Sequence, residues 1–309
     1  MVDFNGQVVI VTGAGRGMGR AIARELGRRG ARVVVNDYGG NVVGDGGTPV
    51  DAAGQVVEEI AREGGEAVAS NDAVGDAAAA ERIVAAAVDR WGRVDGLINN
   101  AGITWRDRAC DISREAMERV MATNFWGPFH LLQAVWPHMQ RQQHGRIVNV
   151  MSSSILGLGR RVSYTASKAA LFGLTGEAAV EGAEHNILVN NLFPSGYSRM
   201  VEGTEEPYHS WMRENFQPER MAPAVAWLVS RELDVTGMTF QAGGGRFSRV
   251  AMTNNDGIFS PTLSLEDIAA RFGEVIAMDQ REVLTRATDL MARSTLWIPW
   301  PDQDVPIVV

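Results

Sequence analysis

The chain has 309 residues, of which 45% are hydrophobic and 21% charged, and its formal net charge is −8. These values are typical of a folded globular protein and exclude a disordered or low-complexity one. The negative charge argues against nucleic-acid binding, which needs clustered excess positive charge. We therefore expect no nucleic-acid partner.

One cysteine, Cys110, is present, so an internal disulfide and a multi-cysteine metal site are excluded and a reducing compartment is indicated. The start at Met1–Phe4 lacks the charged and apolar regions of a signal peptide. No apolar run approaches the roughly 20 residues that span a bilayer. We expect a soluble, cytoplasmic protein with no membrane partner.

The first elements form a strand, a turn and a helix. Gln7–Thr12 is apolar and β-branched, and a glycine-rich turn leads into a helical pattern through Ile22 and Leu26. Ala31–Asn36 is a second buried strand. Together these segments predict a βαβ unit.

The alternation continues along the chain. We predict helices at 76–90, at 114–140 and from about residue 163, and strands at 92–99, 146–151 and 187–192. Strands separated by helices of this length indicate an α/β protein, with a parallel sheet covered by helices on both faces.

Two segments depart from this alternation. Residues 37–50 are rich in glycine and too irregular for a strand, which predicts a surface flap near a cofactor. Beyond about Phe240 the pattern changes, with one helix at 265–276 and an end rich in Trp and Pro. We predict a cofactor-binding and catalytic domain at 1–245. Residues 246–309 are predicted to be an extension packed on the active site or on a neighbouring subunit.

The turn TGAGRGMG, at 12–19, lies where the first strand passes into the first helix. There a pyrophosphate can contact backbone N–H groups at the helix N-terminus, and glycine allows the close approach. A tight turn without a ligand is the alternative. The predicted cofactor contacts in this turn are Gly13, Arg16, Gly17, Met18 and Gly19.

Asp37 ends the second strand, 18 residues after Gly19. A carboxylate there can bond an adenine ribose hydroxyl and would repel a 2′-phosphate, which favours NAD over NADP. Arg16 favours the opposite choice, since a guanidinium can pair with a 2′-phosphate. We weight Asp37 more heavily and predict NAD.

Lys168 is the only lysine, beside 28 arginines. Lysine therefore stands at the one position where arginine does not serve, because its compact ammonium differs from the broad planar guanidinium. Tyr164 lies four residues earlier, on the same face of a predicted helix. A nearby ammonium favours the phenolate and lowers the pKa of a tyrosine, which then serves as a general acid or base. An ordinary exposed Tyr and Lys would show the same spacing.

These motifs, in this order, resemble the short-chain dehydrogenase/reductase family over about 7–245. The matching segments are TGAGRGMG, Asp37, NNAG at 99–102, Asn124, Ser152 and YTASK at 164–168. The resemblance implies a doubly wound, Rossmann-type sheet of about seven parallel strands.

The resemblance also implies catalytic roles. Tyr164 would transfer the proton, and Lys168 would bond the nicotinamide ribose and lower the tyrosine pKa. Ser152 would bond the substrate oxygen, with Ser153 as the alternative because the spacing to Tyr164 is one residue short. Asn124 would hold a water that connects Lys168 to solvent.

The remaining implied contacts are with the cofactor. The adenine would meet Asp72 and Ala73, and the chain at Asn100, Ala101 and Gly102 would line the cofactor. Pro194 and Gly196 would flank the nicotinamide, although Ser195 separates the two residues that usually adjoin.

A narrower likeness rests on VVVNDYGG, VVEEIAREGGEAVA, SRM at 198–200 and the long C-terminal extension. These look like the D-3-hydroxyacyl-CoA dehydrogenase part of peroxisomal multifunctional enzyme type 2, also known as a 17β-hydroxysteroid dehydrogenase. We predict interconversion of a secondary alcohol and a ketone, with an acyl-CoA or another small molecule as substrate. A homodimer or homotetramer is expected.

Alternatives remain open. A hydroxysteroid is the rival substrate, and a non-catalytic dinucleotide-binding protein is the rival class. A metal-dependent alcohol dehydrogenase is disfavoured because the five histidines lack metal-ligand spacing. Arg106, Arg160 and Arg161 would meet CoA phosphates or stay solvated. Four tryptophans would line a pocket or pack in a core: Trp105, Trp211, Trp297 and Trp300.

Overall fold

The structure is a computed structural model that describes residues 2–46, 51–202, 204–279, 281–285, 287 and 289. Eight strands form one sheet in the order β3-β2-β1-β4-β5-β6-β7-β8. They are Val8–Thr12 (β1), Arg32–Asn36 (β2), Glu66–Ser70 (β3), Gly96–Asn99 (β4), Gly145–Val150 (β5), Ile187–Ser195 (β6), Thr239–Gly243 (β7) and Arg246–Val250 (β8).

Strands β1 to β7 pair in parallel, as the alternation of strands and helices predicts. Only Gly244 and Gly245 separate β7 from β8, and a connection this short joins antiparallel neighbours. The predicted α/β, doubly wound sheet is confirmed, with one strand more than the expected seven.

The helices of the sheet unit are Gly17–Arg28 (α1), Ala52–Arg62 (α2), Ala77–Trp91 (α3), Arg114–Met121 (α4), Gly127–Gln142 (α5), Val162–Gly182 (α6), Tyr208–Asn215 (α7) and Ala222–Leu228 (α8). Two predictions of helical structure need correction. The helix expected at 114–140 is divided by a π-helical turn at Ala122–Trp126, and α2 with β3 went unpredicted. The glycine-rich flap before α2 has no regular apolar spacing, so the beginning of the crossover formed by α2 could not be recognised in the sequence.

Both faces of the sheet are covered, and the alternation of side chains along β1 shows how. Val9 and Val11 belong to one core cluster with Leu26 of α1. Val8 and Ile10 belong to the other cluster with Leu131 of α5. Successive strand residues point to opposite faces, so a strand buried on both sides reads as a continuous apolar run.

The chain divides into two compact units, 1–249 and 250–309. The described part of the second unit contains Met252–Asn255 (β9), the predicted helix at Leu265–Ile276 (α9) and Arg281–Leu284 (β10). Strands β9 and β10 pair antiparallel, and Ser264 with Asp267 forms a capping box at α9. The packing predicted for the extension stays a prediction, and the tail at 290–309 lies outside the described residues.

A row of buried polar side chains links helix α6 to the centre of the sheet. The Asn99 amide donates to Asn149 Oδ1 (2.8 Å), and the Asn149 amide donates to Thr175 Oγ1 of α6 (2.9 Å). The Thr175 hydroxyl donates to Asn191 Oδ1 on β6 (2.7 Å). All four residues are at most 1% exposed. These bonds connect three adjacent strands to one helix.

Replacing Asn149 should therefore cost stability. Asn149→Ala removes the acceptor of Asn99 and the donor to Thr175, and buried polar groups left without partners should lower the free energy of unfolding by about 2–4 kcal/mol. Urea denaturation measures the change. Asn71 is exposed, and Asn71→Ala should stay within about 0.5 kcal/mol of the parent. Equal effects of the two substitutions would contradict this role.

Candidate active site

Four parallel strands bring the predicted site residues to one edge of the sheet. The glycine-rich turn follows β1, Asp37 follows β2, residues 100–102 follow β4, and Ser152 comes shortly after β5. The carboxyl ends of parallel strands meet at the same edge, and the strand order reverses between β1 and β4. Ligands of doubly wound sheets bind at such a reversal.

The glycine-rich turn is shaped by conformation and by close contacts. Gly13 and Gly17 have φ values of +61° and +52°, which other residues rarely adopt. A Cβ on Gly19 would lie 2.2 Å from the Gly13 carbonyl oxygen. A Cβ on Gly196 would lie 2.9 Å from Met18 Sδ, so the turn also contacts the segment that follows β6.

Thr12 and Asn100 hold this turn in place. The Asn100 amide donates to the carbonyl oxygens of Thr12 (2.9 Å) and Gly13 (3.0 Å). The Thr12 hydroxyl accepts from the N–H groups of Asn100 and Ala101. The Asn100 side chain is thus engaged with the turn, and contact of 100–102 with a cofactor stays a prediction. Sequence reasoning missed Thr12, whose signal is a hydroxyl at the last position of an apolar strand.

Asp37 faces the same turn. Its Oδ2 accepts from the Gly15 N–H (2.9 Å) and its Oδ1 from the Gly39 N–H (2.8 Å). Arg16 has no carboxylate partner within the described residues. The carboxylate at the end of β2 is therefore held by one backbone donor of the glycine-rich turn and one donor of the segment that follows it.

The other predicted adenine contacts lie beyond β3. Asp72 pairs with Arg82 (2.7 Å), and its carbonyl oxygen accepts from the Asn36 amide (2.9 Å). Ala73 is exposed. The flap predicted at 37–50 is described as far as residue 46, and there it is irregular; its last four residues lie outside the described part.

A dinucleotide fits this edge of the sheet. Helix α1 begins after Arg16 without a side-chain cap. The N–H groups of its first turn are therefore available to donate to an anion. Such N–H groups and the positive end of the helix dipole suit a pyrophosphate. The glycines leave no side chain between it and the backbone.

Lys168 is buried beneath this edge. It is 3% exposed, its Nζ donates to the Val150 carbonyl oxygen (2.6 Å), and it lies 6.0 Å from the centre of the Tyr164 ring. Both residues are on α6, one turn apart. The predicted helical pairing of Tyr164 with Lys168 is therefore present.

Burial changes the acid–base properties of both groups. It lowers the pKa of Lys168 from 10.5 to about 8, because the ammonium is removed from water. It raises the pKa of Tyr164, while a hydrogen bond from Ser152 and the charge of Arg161 act in the opposite direction. In this structure burial outweighs the lowering of the tyrosine pKa that was expected from Lys168.

Ser152 and Ser153 differ in their surroundings. Burial raises the pKa of the Tyr164 phenol, Ser152 opposes this effect by hydrogen bonding, and its Oγ accepts from the Ser154 N–H (3.1 Å). Ser153 is exposed. A short 3-10 helix at Ser153–Leu156 begins immediately after Ser152, whose side chain caps it.

Asn124 lies in the π-helical turn between α4 and α5 and is fully buried. Its Oδ1 accepts from the Ile103 N–H (2.9 Å), and its amide donates to Ile103 O (2.9 Å) and Ser167 Oγ (3.0 Å). A Cβ on Gly102 would lie 3.4 Å from Lys168 Nζ and 3.5 Å from Asn124 Oδ1. Gly102 therefore lies beside both side chains.

Residues 7–206 match the family model for short chain dehydrogenase. The chain belongs to this family. It is an oxidoreductase that acts on CH–OH groups, and the family uses NAD or NADP.

Three relatives of this short-chain dehydrogenase are informative. A short-chain type dehydrogenase/reductase of Mycobacterium tuberculosis is 39% identical, over 89% of this chain and 96% of that protein. Peroxisomal multifunctional enzyme type 2 of Mus musculus is 41% identical, over 78% of this chain and 32% of the mouse protein. A 3-oxoacyl-[acyl-carrier-protein] reductase of Synechocystis is 33% identical, over 79% and 98%.

A solved structure agrees with these relatives. The full-length peroxisomal multifunctional enzyme type 2 of Drosophila melanogaster superposes with a TM-score of 0.77 at 29% identity. The match covers 96% of this chain and 50% of the Drosophila chain. The chain thus spans about a third to a half of the multifunctional enzymes that it resembles.

Other candidate residues of this dehydrogenase are only partly placed. Arg106 and Arg160 are exposed, and Arg161 donates to Thr104 Oγ1 (2.7 Å). Trp211 is 50% exposed beside Phe216, whereas Trp297 and Trp300 lie outside the described residues. Within the described part of the chain, no helix is long and apolar enough to cross a membrane.

The buried ammonium of Lys168 should destabilise the folded state. A lysine whose pKa is lowered to about 8 in the fold and is 10.5 when unfolded destabilises the fold by about 3 kcal/mol below pH 8. The unfolded chain binds more protons between pH 8 and 10.5, so this penalty decreases as pH rises through that window.

Lys168→Met should therefore be more stable than the parent at pH 7, by roughly 1–3 kcal/mol. The advantage should shrink at pH 9.5, and chemical denaturation at the two pH values measures it. No other lysine titrates in this window. Lys168→Arg keeps the cation and should give no stabilisation. An advantage for Lys168→Met that is independent of pH would refute the electrostatic origin.

Proposed function

We propose that the chain is an NAD-dependent 3-hydroxyacyl-CoA dehydrogenase, which interconverts a secondary alcohol and a ketone. The observation that carries this proposal is the arrangement of Tyr164 with Lys168 and Ser152, next to the glycine-rich turn. A proton-transferring phenol, a buried cation and a hydroxyl donor meet where a dinucleotide fits. A non-catalytic binding protein would have no need for the instability of a buried ammonium.

NAD is the proposed cofactor. The Asp37 carboxylate would bond an adenine ribose hydroxyl and repel a 2′-phosphate, and its two backbone donors keep it in place. NAD supplies the hydride acceptor, C4 of its nicotinamide ring. The residues proposed to hold it are Gly13, Arg16, Gly17, Met18, Gly19, Asp37, Asp72, Ala73, Asn100, Ala101, Gly102, Tyr164, Lys168, Pro194 and Gly196.

Tyr164 moves the proton in this proposal. In alcohol oxidation its phenolate oxygen takes the hydroxyl proton of the substrate, and in ketone reduction its hydroxyl returns a proton to the carbonyl oxygen. Ser152 donates a hydrogen bond to that same substrate oxygen. Lys168 bonds the nicotinamide ribose and favours the phenolate, against the burial that raises the tyrosine pKa. Asn124 orders a water beside Lys168.

The acyl thioester is supported by the named relatives. One is a 3-oxoacyl-[acyl-carrier-protein] reductase, which establishes that a protein 33% identical acts on a 3-oxoacyl group. Several others are multifunctional enzymes of peroxisomes. A hydroxysteroid is the second candidate substrate, on the likeness to multifunctional enzyme type 2. The proposed compartment is the cytoplasm.

We propose that the chain forms a homodimer or homotetramer, with the outer face of α6 as the interface. Ala166, Ala169 and Gly173 are exposed there, and Phe172 is 38% exposed beside them. A Cβ on Gly173 would meet no atom within 4 Å. Small residues permit close helix approach, so a second copy of the chain fits this face.

Tyr164→Phe tests the chemistry directly. The variant should retain NAD binding, because the other proposed cofactor contacts are unchanged, and should lose turnover by about 10²–10⁴-fold, since the proton-transferring oxygen is removed. NADH absorbance measures turnover, and calorimetry measures NAD binding. Tyr208→Phe, which alters a half-exposed tyrosine on α7, is the matched control and should keep full activity. An active Tyr164→Phe protein would contradict the assignment of Tyr164 as the proton-transferring group.

A substrate panel tests the specificity. 3-Hydroxyacyl-CoA thioesters and hydroxysteroids are offered with NAD and with NADP, and initial rates of reduced-cofactor formation give kcat/KM. We expect the acyl-CoA thioesters with NAD to be preferred. Preference for a steroid would replace the substrate assignment, and preference for NADP would show that Arg16 outweighs Asp37.

A further inference from the structure

Helix α6, which carries Tyr164 and Lys168, begins without a cap of its own. The residues before it are irregular, with φ values of +96° at Gly157, +75° at Gly159 and +50° at Arg160. Arg161 occupies the N-cap position and makes no side-chain capping bond. The first N–H groups of a helix have no partner inside the helix, so another part of the chain must supply acceptors.

Asp107 supplies them from the segment that follows β4. Its Oδ1 accepts from the Val162 N–H (3.0 Å), and its Oδ2 accepts from the Ser163 hydroxyl (2.9 Å). Ser163 is fully buried. The two partners lie 55 and 56 positions away in the sequence. One carboxylate therefore binds the first two residues of α6, and its charge suits the positive end of the helix.

Two more bonds attach the same segment to the start of α6. The Asp107 N–H donates to the Arg160 carbonyl oxygen (3.1 Å), and Arg161 donates to Thr104 Oγ1 (2.7 Å). Asp107 and Arg161 also form a parallel β-bridge. The irregular residues before the helix are thus held against the chain that leaves the NNAG motif.

The anchors of the two residues on α6 differ. Tyr164 is the next residue after Ser163 and lies in the first turn, where a helix without a cap frays. Lys168 lies one turn further and is bonded to Val150 O on β5. Loss of the carboxylate would therefore displace Tyr164 and leave Lys168 where it is.

We propose that Asp107 is a positioning residue for Tyr164, which sets the place of the phenol by capping the catalytic helix from outside it. This inference rests on the proposed function. It assigns to Asp107 a main effect on the proton-transfer step and only a small one on cofactor binding, because Tyr164 is a single proposed cofactor contact, whereas the glycine-rich turn, Asp37 and Lys168 are held by other bonds.

The experiment compares Asp107→Ala with Asp111→Asn, which removes a charge from an exposed position four residues later. In Asp107→Ala, kcat should fall by about 10–100-fold, since a displacement of about 1 Å at a reacting group has effects of that order. KM and the Kd of NAD should stay close to the parent values. Asp111→Asn should leave all three unchanged.

Substitutions of the partner sharpen the test. Ser163→Ala loses one of the two bonds and should reduce kcat less than Asp107→Ala does, whereas Ser163→Thr keeps the hydroxyl and should restore kcat. In the double variant Asp107→Ala/Ser163→Ala the losses should not multiply, because both changes remove the same bond. Hydrogen exchange of the amides at 162–164 should be faster in Asp107→Ala and unchanged in Asp111→Asn.

The outcomes separate this inference from the proposed function. Activity of the parent protein on the substrate panel tests the function, and the ratio of variant to parent tests Asp107. Parental kcat in Asp107→Ala would overturn the inference. So would a joint loss of kcat, NAD binding and folded structure, since that pattern belongs to a general structural role.

Discussion

The burial of one ammonium group is the constraint on which the rest of this site depends. Lys168 is nearly inaccessible to water, and burial lowers its pKa to about 8. A charge in that position is tolerated only with an acceptor at hand, which Val150 O provides. Helix α6 must therefore pack against β5 in the one position that brings Lys168 to the Val150 carbonyl oxygen. The row of Asn99, Asn149 and Thr175 bonds holds the helix there.

The same edge of the sheet brings together groups that follow β1, β2, β4 and β5. The segments there have special conformations, with positive φ at Gly13 and Gly17 and a π-helical turn that contains the fully buried Asn124. Tyr164 and Lys168 lie on the regular helix α6, whereas Asn124 and the glycine-rich turn lie in irregular segments between regular elements. The stability given up at Lys168 is consistent with the usual exchange of stability for function.

Two structural features connect the motifs to one another. Asn100 belongs to the NNAG motif, yet its amide holds the glycine-rich turn after β1. Asp107, in the segment after that motif, caps the helix of the YTASK motif. The segment from Asn100 to Asp107 thus bonds to the glycine-rich turn at one end and to the start of α6 at the other.

The sequence by itself determined the class of fold, most of the elements and the pairing of Tyr164 with Lys168. These follow from local periodicity and from spacing within one helix, which short segments encode. The crossover of α2 and β3 was missed because the flap before it breaks the pattern, and the π-helical turn has no signature in the apolar spacing.

Only the tertiary structure shows that Ser153 is exposed and Ser152 is half-buried, and only it shows the bonds of Thr12 to the NNAG segment and of Asp107 to the start of α6. Burial in the fold also raises the pKa of Tyr164, which is opposite to the direction expected from the sequence. Contacts between residues some 55 to 90 positions apart in the chain, and the exclusion of water around a side chain, depend on how the elements pack. No local pattern of residue types specifies either.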